Sequence, residues 1–150
     1  MSLFFVDTSA VAKRYITETG SAWVRSWAQP TTHNIIVISD LAAVEMFSLL
    51  TRRVREGTLT ASNEMVLRNV FMLHVEKEYL TVPLEYSVLA QARNLVTKYP
   101  LRTLDAIQLA SAIRASQLLA EPITFISAGR NLQSASAAEG FSTDDPNAHP

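Results

Sequence analysis

The sequence predicts an α/β protein: a parallel β-sheet core flanked by helices. Two observations predict it. The runs LFFV at 3–6, IIVI at 35–38 and ITFI at 123–126 are rich in β-branched or aromatic residues and show no polar alternation, the pattern of strands covered on both faces. Each run is followed by a polar break and then a helical pattern: DTS before AVAKRY, SD before LAAVEMFSLL, SAGRN before LQSASAA. Strand, hydroxyl-rich turn and helix in repetition are the grammar of α/β folds.

The elements follow in order. After the first two strands, Asp40 is placed to cap a helix running to about Glu56, and Gly57 is placed to end it. Further helical patterns run from Thr60 to about Lys77 and from Tyr86 to about Lys98. Between them LTVPL at 80–84 reads as a fourth strand, which Pro83 assigns to a sheet edge. Pro100 breaks the chain before a helix from about Thr103 to Leu118. Four helices between the second and third core strands exceed one crossover, so a helical hairpin inserted there, or a self-association surface, is expected. The ending FSTDDPNAHP offers little to bury. This predicts one domain over 1–141 and a coil or extended tail over 142–150.

Composition narrows the function classes. A chain of 150 residues with 48% hydrophobic content can fill a core, which excludes a disordered protein. Formal net charge of -1 neither requires nor excludes a nucleic acid. The absence of cysteine removes thiolate chemistry, zinc–cysteine sites and disulfides, and suits a reducing cytoplasm. The run 3–6 meets Asp7 too soon for a signal-peptide core, and no stretch approaches the roughly 20 apolar residues of a membrane span. A soluble, cytoplasmic protein is therefore expected. Glycines at only 20, 57, 129 and 140 form no phosphate-cradling loop. His33, His74 and His149 have no serine or carboxylate at a triad spacing.

Three acids stand in apolar company. Asp7 ends the first strand, where it either caps the next helix or walls a ligand site at the carboxyl end of a parallel sheet. Glu45 has Leu41 and Leu49 at i−4 and i+4 and Ala42 and Ser48 at i−3 and i+3. Its carboxylate therefore lies along an apolar stripe, where it needs a cation or hydrogen bonds unless the helix is rotated to let it reach water. Asp105 opens the helix of LRTLDAIQLASAI, where the helix dipole favours a negative charge in any case. Jointly the three suit a hard cation, Mg²⁺ or Mn²⁺, and hence phosphodiester hydrolysis.

The segments FVDTSAVAKRY (5–15), LAAVEMFSLL (41–50), LRTLDAIQLASA (101–112) and ITFISAGRNLQSASAAEGF (123–141) together resemble the PIN-domain family, of the kind found as VapC-like toxin ribonucleases of toxin–antitoxin pairs. The resemblance spans nearly the whole chain and rests on the order and spacing of the pieces. It implies a metal-dependent endoribonuclease in which Asp7, Glu45 and Asp105 hold Mg²⁺ or Mn²⁺. It also implies an RNA substrate, a small antitoxin partner and a homodimer.

One departure from the family pattern stands out. Where the family often carries an aspartate after the last core strand, this sequence reads SAG, with Gly129 in that place. A fourth carboxylate is thus missing, which favours a single ion or weaker activity. The alternative reading follows: a catalytically impaired PIN-like module that binds RNA or protein. Thr8, Ser9 and Ser127 are candidate supporting hydroxyls. The family also often has histidine where Gln108 stands. Basic residues near the acids, namely Lys13, Arg14, Arg52, Arg53, Arg55, Arg102 and Arg130, are candidates for contacting RNA. An aspartyl-phosphate phosphotransferase using Asp7 is disfavoured because Thr8 and Ser9 follow where a second aspartate is needed.

Overall fold

The computed structural model describes residues 1–150. β1 (Leu3–Val6) forms because its side chains can be buried on both faces at once. Phe5 points into one core, and Val6 points into the other. The same division holds for β2 (Ile35–Ser39), with Val37 opposed to Ile36 and Ile38, and for β4 (Thr124–Ile126), with Phe125 opposed to Ile126. Two short strands complete the sheet, β3 (Leu80–Val82) and β5 (Ser142–Asp144).

The five strands are ordered β3-β2-β1-β4-β5, and every pairing is parallel. Across the β1–β4 pair Phe5 lies opposite Phe125, and their rings stack at 5.3 Å between centroids. Burying each such ring contributes about 2 to 3 kcal/mol. β3 bonds only β2, so the edge position that Pro83 implied is the one observed.

The helices divide by face. On one side lie α1 (Thr8–Val11), α2 (Ser21–Trp27), α3 (Leu41–Arg55) and α4 (Ala61–Lys77), which contribute Val11, Val24, Met46, Leu50 and Phe71 to one core. On the other lie α5 (Tyr86–Lys98), α6 (Thr103–Leu119) and α7 (Arg130–Ala138), which contribute Val88, Leu95, Leu109 and Leu132 to the second. The chain moves outward from β1 through β2 to β3, then returns past β1 to β4 and β5. That reversal places a topological switch point between β1 and β4, the position at which open α/β sheets receive ligands.

Several local expectations change. Asp40 occupies the N-cap position of α3 but its side chain caps nothing, because its backbone is already helical (φ -56, ψ -26). Ser39 Oγ accepts from Leu41 N at 3.2 Å instead. Gly57 ends α3 as expected, at φ +77. The crossover between the second and third core strands contains α3 and α4, which pack on each other, then β3, then the tightly packed pair α5 and α6. The C-terminal stretch, expected as a coil or extended tail, is instead docked on the domain. Ser142–Asp144 pairs with β4, and a 3-10 turn at Pro146–Ala148 brings His149 flat against Trp23, with ring centroids 4.1 Å apart. Gly20 makes room for this docking, since a Cβ there would stand 2.3 Å from the Pro146 carbonyl oxygen. No helix is long and apolar enough to cross a membrane.

Candidate active site

Asp7 sits one residue beyond β1, at the switch point. Its backbone N–H donates to Ile126 O at 3.1 Å, which holds it against the end of β4. Of the two readings of Asp7, the cap is observed. Its Oδ1 accepts from Ala10 N at 3.2 Å as the cap of the single-turn α1, and also from Ser9 Oγ at 2.7 Å. Oδ2 accepts from Ser127 Oγ at 2.9 Å. The hydroxyls are held in turn by the loop after β4, because Ala128 N donates to Ser9 Oγ and Gly129 N donates to Ser127 Oγ.

Asp7 is only 5% exposed, yet no ion pair in the protein includes it. Burial pushes its carboxyl up to about 6, against the opposing pull of the Ser9, Ser127 and Ala10 bonds, and the nearby charge of Asp105 pushes the same way. Such an acid is one whose ionised form is disfavoured by burial with no basic side chain beside it.

Glu45 lies half-buried on α3, with its Oε1 turned to a pair of donors. Thr8 Oγ1 donates to it at 2.9 Å, and Gln108 Nε2, reaching across from α6, donates at 2.7 Å. Asp105 stands in the first turn of α6, half-buried, and its pKa is raised by desolvation, with Arg102 opposing. Neither acid takes part in an ion pair. A cleft of about 430 Å³ opens here, lined by Thr8, Ser9, Glu45, Ser48, Arg52 and Leu104 among others.

The donor set is oxygen alone, and its buried member is unpaired, which fits a hard divalent cation. No group of three His, Asp or Glu side chains is gathered closely enough to hold an ion as it stands. Of the three acids Glu45 lines the cleft, while Asp7 lies buried just before its lining residues Thr8 and Ser9, and Asp105 stands one residue after its lining residue Leu104. Asp7, Glu45 and Asp105 are the residues that could hold a metal.

The basic residues separate into two groups. Lys13 is buried, and its ammonium donates to Glu18 Oε1 at 3.1 Å and Thr19 O at 2.8 Å. Arg14 is bound to Glu78 Oε2 and Tyr79 Oη, both at 2.8 Å. Their charges are spent internally, contrary to the expectation that they face a ligand, because Lys13 is held by the segment before α2 and Arg14 by the segment between α4 and β3. Arg53 reaches Glu18 at 3.4 Å. Arg52 lines the cleft, Arg102 is exposed beside Asp105, and Arg130 is exposed at the start of α7. Arg55 is exposed near the end of α3.

Sequence reasoning passed over the contact of Gln108 with Glu45. The available signal was the helical spacing of Gln108 from Asp105, three residues on along the same face.

An open parallel sheet with a buried carboxylate, Asp7, at its strand-order reversal, beside a cleft lined by Glu45, defines an α/β protein with a candidate site at the carboxyl ends of its strands. Comparison with known families makes the class specific: the chain belongs to the PIN-domain family, whose model matches residues 4–135. No curated protein matches the chain. Among solved structures it is similar in fold to VapC20 of Mycobacterium tuberculosis, described as a sarcin–ricin loop cleaving toxin, at 15% identity and TM-score 0.65, covering 99% of this chain and 100% of that one. It is also similar to VapBC2 from Rickettsia felis, solved bound to a DNA fragment from its promoter, at 9% identity and TM-score 0.65, covering 95% of this chain and 98% of that one. A toxin–antitoxin complex from Klebsiella pneumoniae matches at 13% identity and TM-score 0.60, covering 95% and 97%.

Proposed function

We propose that the protein is a divalent-metal-dependent endoribonuclease acting as the toxin of a toxin–antitoxin pair in the cytoplasm. The observation that carries this reading is Asp7, a buried carboxylate at the switch point of the sheet with no basic side chain paired to it, immediately before Thr8 and Ser9, which line the cleft together with Glu45. Family membership and the toxins that share the fold support it.

Asp7, Glu45 and Asp105 would hold Mg²⁺ or Mn²⁺. The ion supplies Lewis acidity that lowers the pKa of water and neutralises phosphate charge. The protein's own residues do the rest. Ser9 and Ser127 orient Asp7 with one hydroxyl on each oxygen. Thr8 orients Glu45. Arg52 and Arg102, with Arg130 further along the β4 loop, supply positive charge for the RNA backbone, a contact that salt weakens. A small antitoxin and a second copy of the chain are the expected protein partners.

The test is cleavage of a mixed RNA pool with Mn²⁺ and with chelator, for the wild type and Asp7→Asn. Cutting that requires both the metal and Asp7 supports the enzyme. A second reading has its own observation: Gly129 stands where a fourth acid is expected, so the chain would bind RNA or protein without cutting. Clean Mn²⁺ binding by calorimetry with no RNA cut would favour that module.

A further inference from the structure

We infer that Gln108 is a positioning residue for Glu45, acting with Thr8 to lock one carboxylate oxygen and leave the other as the single oxygen offered to a cation. This rests on the metal-dependent reading above. Gln108 is buried, and its Nε2 donates both to Glu45 Oε1 at 2.7 Å and to Thr8 Oγ1 at 3.1 Å. Thr8 Oγ1 donates to the same Glu45 oxygen at 2.9 Å. Three side chains from α1, α3 and α6 thus close a triangle, in which both bonds to the carboxylate go to Oε1 and the third links Gln108 to Thr8. Oε2 accepts no hydrogen bond from the protein.

Charge fixes the orientation of the amide. Turning it over would set the Gln108 carbonyl at hydrogen-bond distance from a carboxylate oxygen, acceptor against acceptor. The present orientation leaves Gln108 Oε1 buried without a partner. The unpaired acceptor offsets part of what the two donated bonds contribute to stability, so the main effect of the amide is the fixed direction of Glu45. Partners of this kind behind a ligand typically alter metal affinity or activity by 10- to 100-fold when removed. A monodentate glutamate with one free oxygen also suits a small cation that keeps its other positions for water and phosphate.

The experiment compares wild type, Gln108→Leu, Thr8→Val and Gln108→His in three readouts: Mn²⁺ affinity by calorimetry, kcat and KM on one RNA, and the metal-free melting temperature. Gln108→Leu and Thr8→Val are expected to weaken Mn²⁺ binding and lower kcat by roughly tenfold each, with KM held. Gln108→Leu should leave the melting temperature nearly unchanged, since the unpaired acceptor goes with the amide. Gln108→His restores an N–H donor and should recover most of the affinity. Wild-type affinity in Gln108→Leu overturns the inference while the nuclease reading stands. A melting temperature that falls in both leucine and histidine variants with Mn²⁺ affinity unchanged makes Gln108 merely structural and also overturns it. A wild type that neither binds Mn²⁺ nor cuts RNA overturns the parent reading, and this one with it.

Discussion

Ser127 donates its hydroxyl to Asp7 Oδ2 at 2.9 Å, joining residues 120 positions apart at the carboxyl ends of β4 and β1. The bond crosses the switch point of the sheet, so the same contact that closes the core strands also orients the buried acid. Ser127→Ala removes a donor from a carboxylate that burial already disfavours, and should cost about 1 to 2 kcal/mol of stability above pH 6. Because that bond pulls the Asp7 pKa down, its loss raises it further, and the acid limb of Mn²⁺ binding moves to higher pH. Calorimetry between pH 5 and 8 would show it.

Asp7→Asn should abolish cleavage and yet stabilise the metal-free protein. The folded pKa of about 6 lies above the ordinary 3.8, so the native state binds more protons than the unfolded chain between those values. Stability therefore falls as pH rises through that window, by about 3 kcal/mol at most. An asparagine keeps an acceptor for Ser9 and Ala10 and carries no charge. Thermal melts should show the variant several degrees higher at pH 7.5, and equal to wild type near pH 3.

Gly129 is glycine for no backbone reason. Its φ of -89 and ψ of 121 suit any residue, and a Cβ would meet Ser127 Oγ at 3.4 Å and Leu132 Cβ at 3.8 Å. Gly129→Asp should fold and add a fourth carboxylate to the cleft. Mn²⁺ affinity should rise roughly tenfold, as added ligand charge tightens such sites. The metal-free protein should lose stability above pH 6, since a like charge pushes Asp7 up again.

Arg14 and Arg102 should part company on mutation. Arg14→Ala leaves Glu78 without its guanidinium and Tyr79 Oη with Tyr15 as its one remaining side-chain partner, and should cost about 3 kcal/mol, read in denaturant melts. Arg102→Ala should leave stability within about 0.5 kcal/mol. It should instead weaken RNA binding and reduce the salt dependence by roughly 0.7 per lost phosphate contact.

Gly20→Ala should loosen the C-terminal segment. Its φ of +85 strains any side chain, and the added Cβ would press on the Pro146 backbone. A loss of more than about 2 kcal/mol, with faster amide exchange over 142–149, would confirm that the docked ending supports the fold.

Much of the architecture was legible because parallel strands buried on both faces leave dense apolar runs. LFFV, IIVI and ITFI each became a central strand. β5 was not legible: Ser142, Thr143 and Asp144 carry no apolar signal, and edge pairing with β4 alone makes them a strand. α2 is short and starts from a left-handed glycine, so no helical period announced it. At the site, the acids stood out as charges in apolar sequence. Whether a basic residue faces RNA or a carboxylate depends on tertiary placement, which is why Lys13 and Arg14 misled. The Gln108–Thr8–Glu45 triangle joins three distant segments through neutral groups, and only the folded chain displays it.

Under the proposed function Asp7, Glu45 and Asp105 serve one divalent ion site. Anomalous diffraction from crystals grown with Mn²⁺ tests it most directly. A peak is expected within ~2.2 Å of an Asp7 oxygen and of an oxygen from Glu45 or Asp105. A cleft free of manganese at saturating concentration, or an ion bound only at unrelated surface acids, would contradict it.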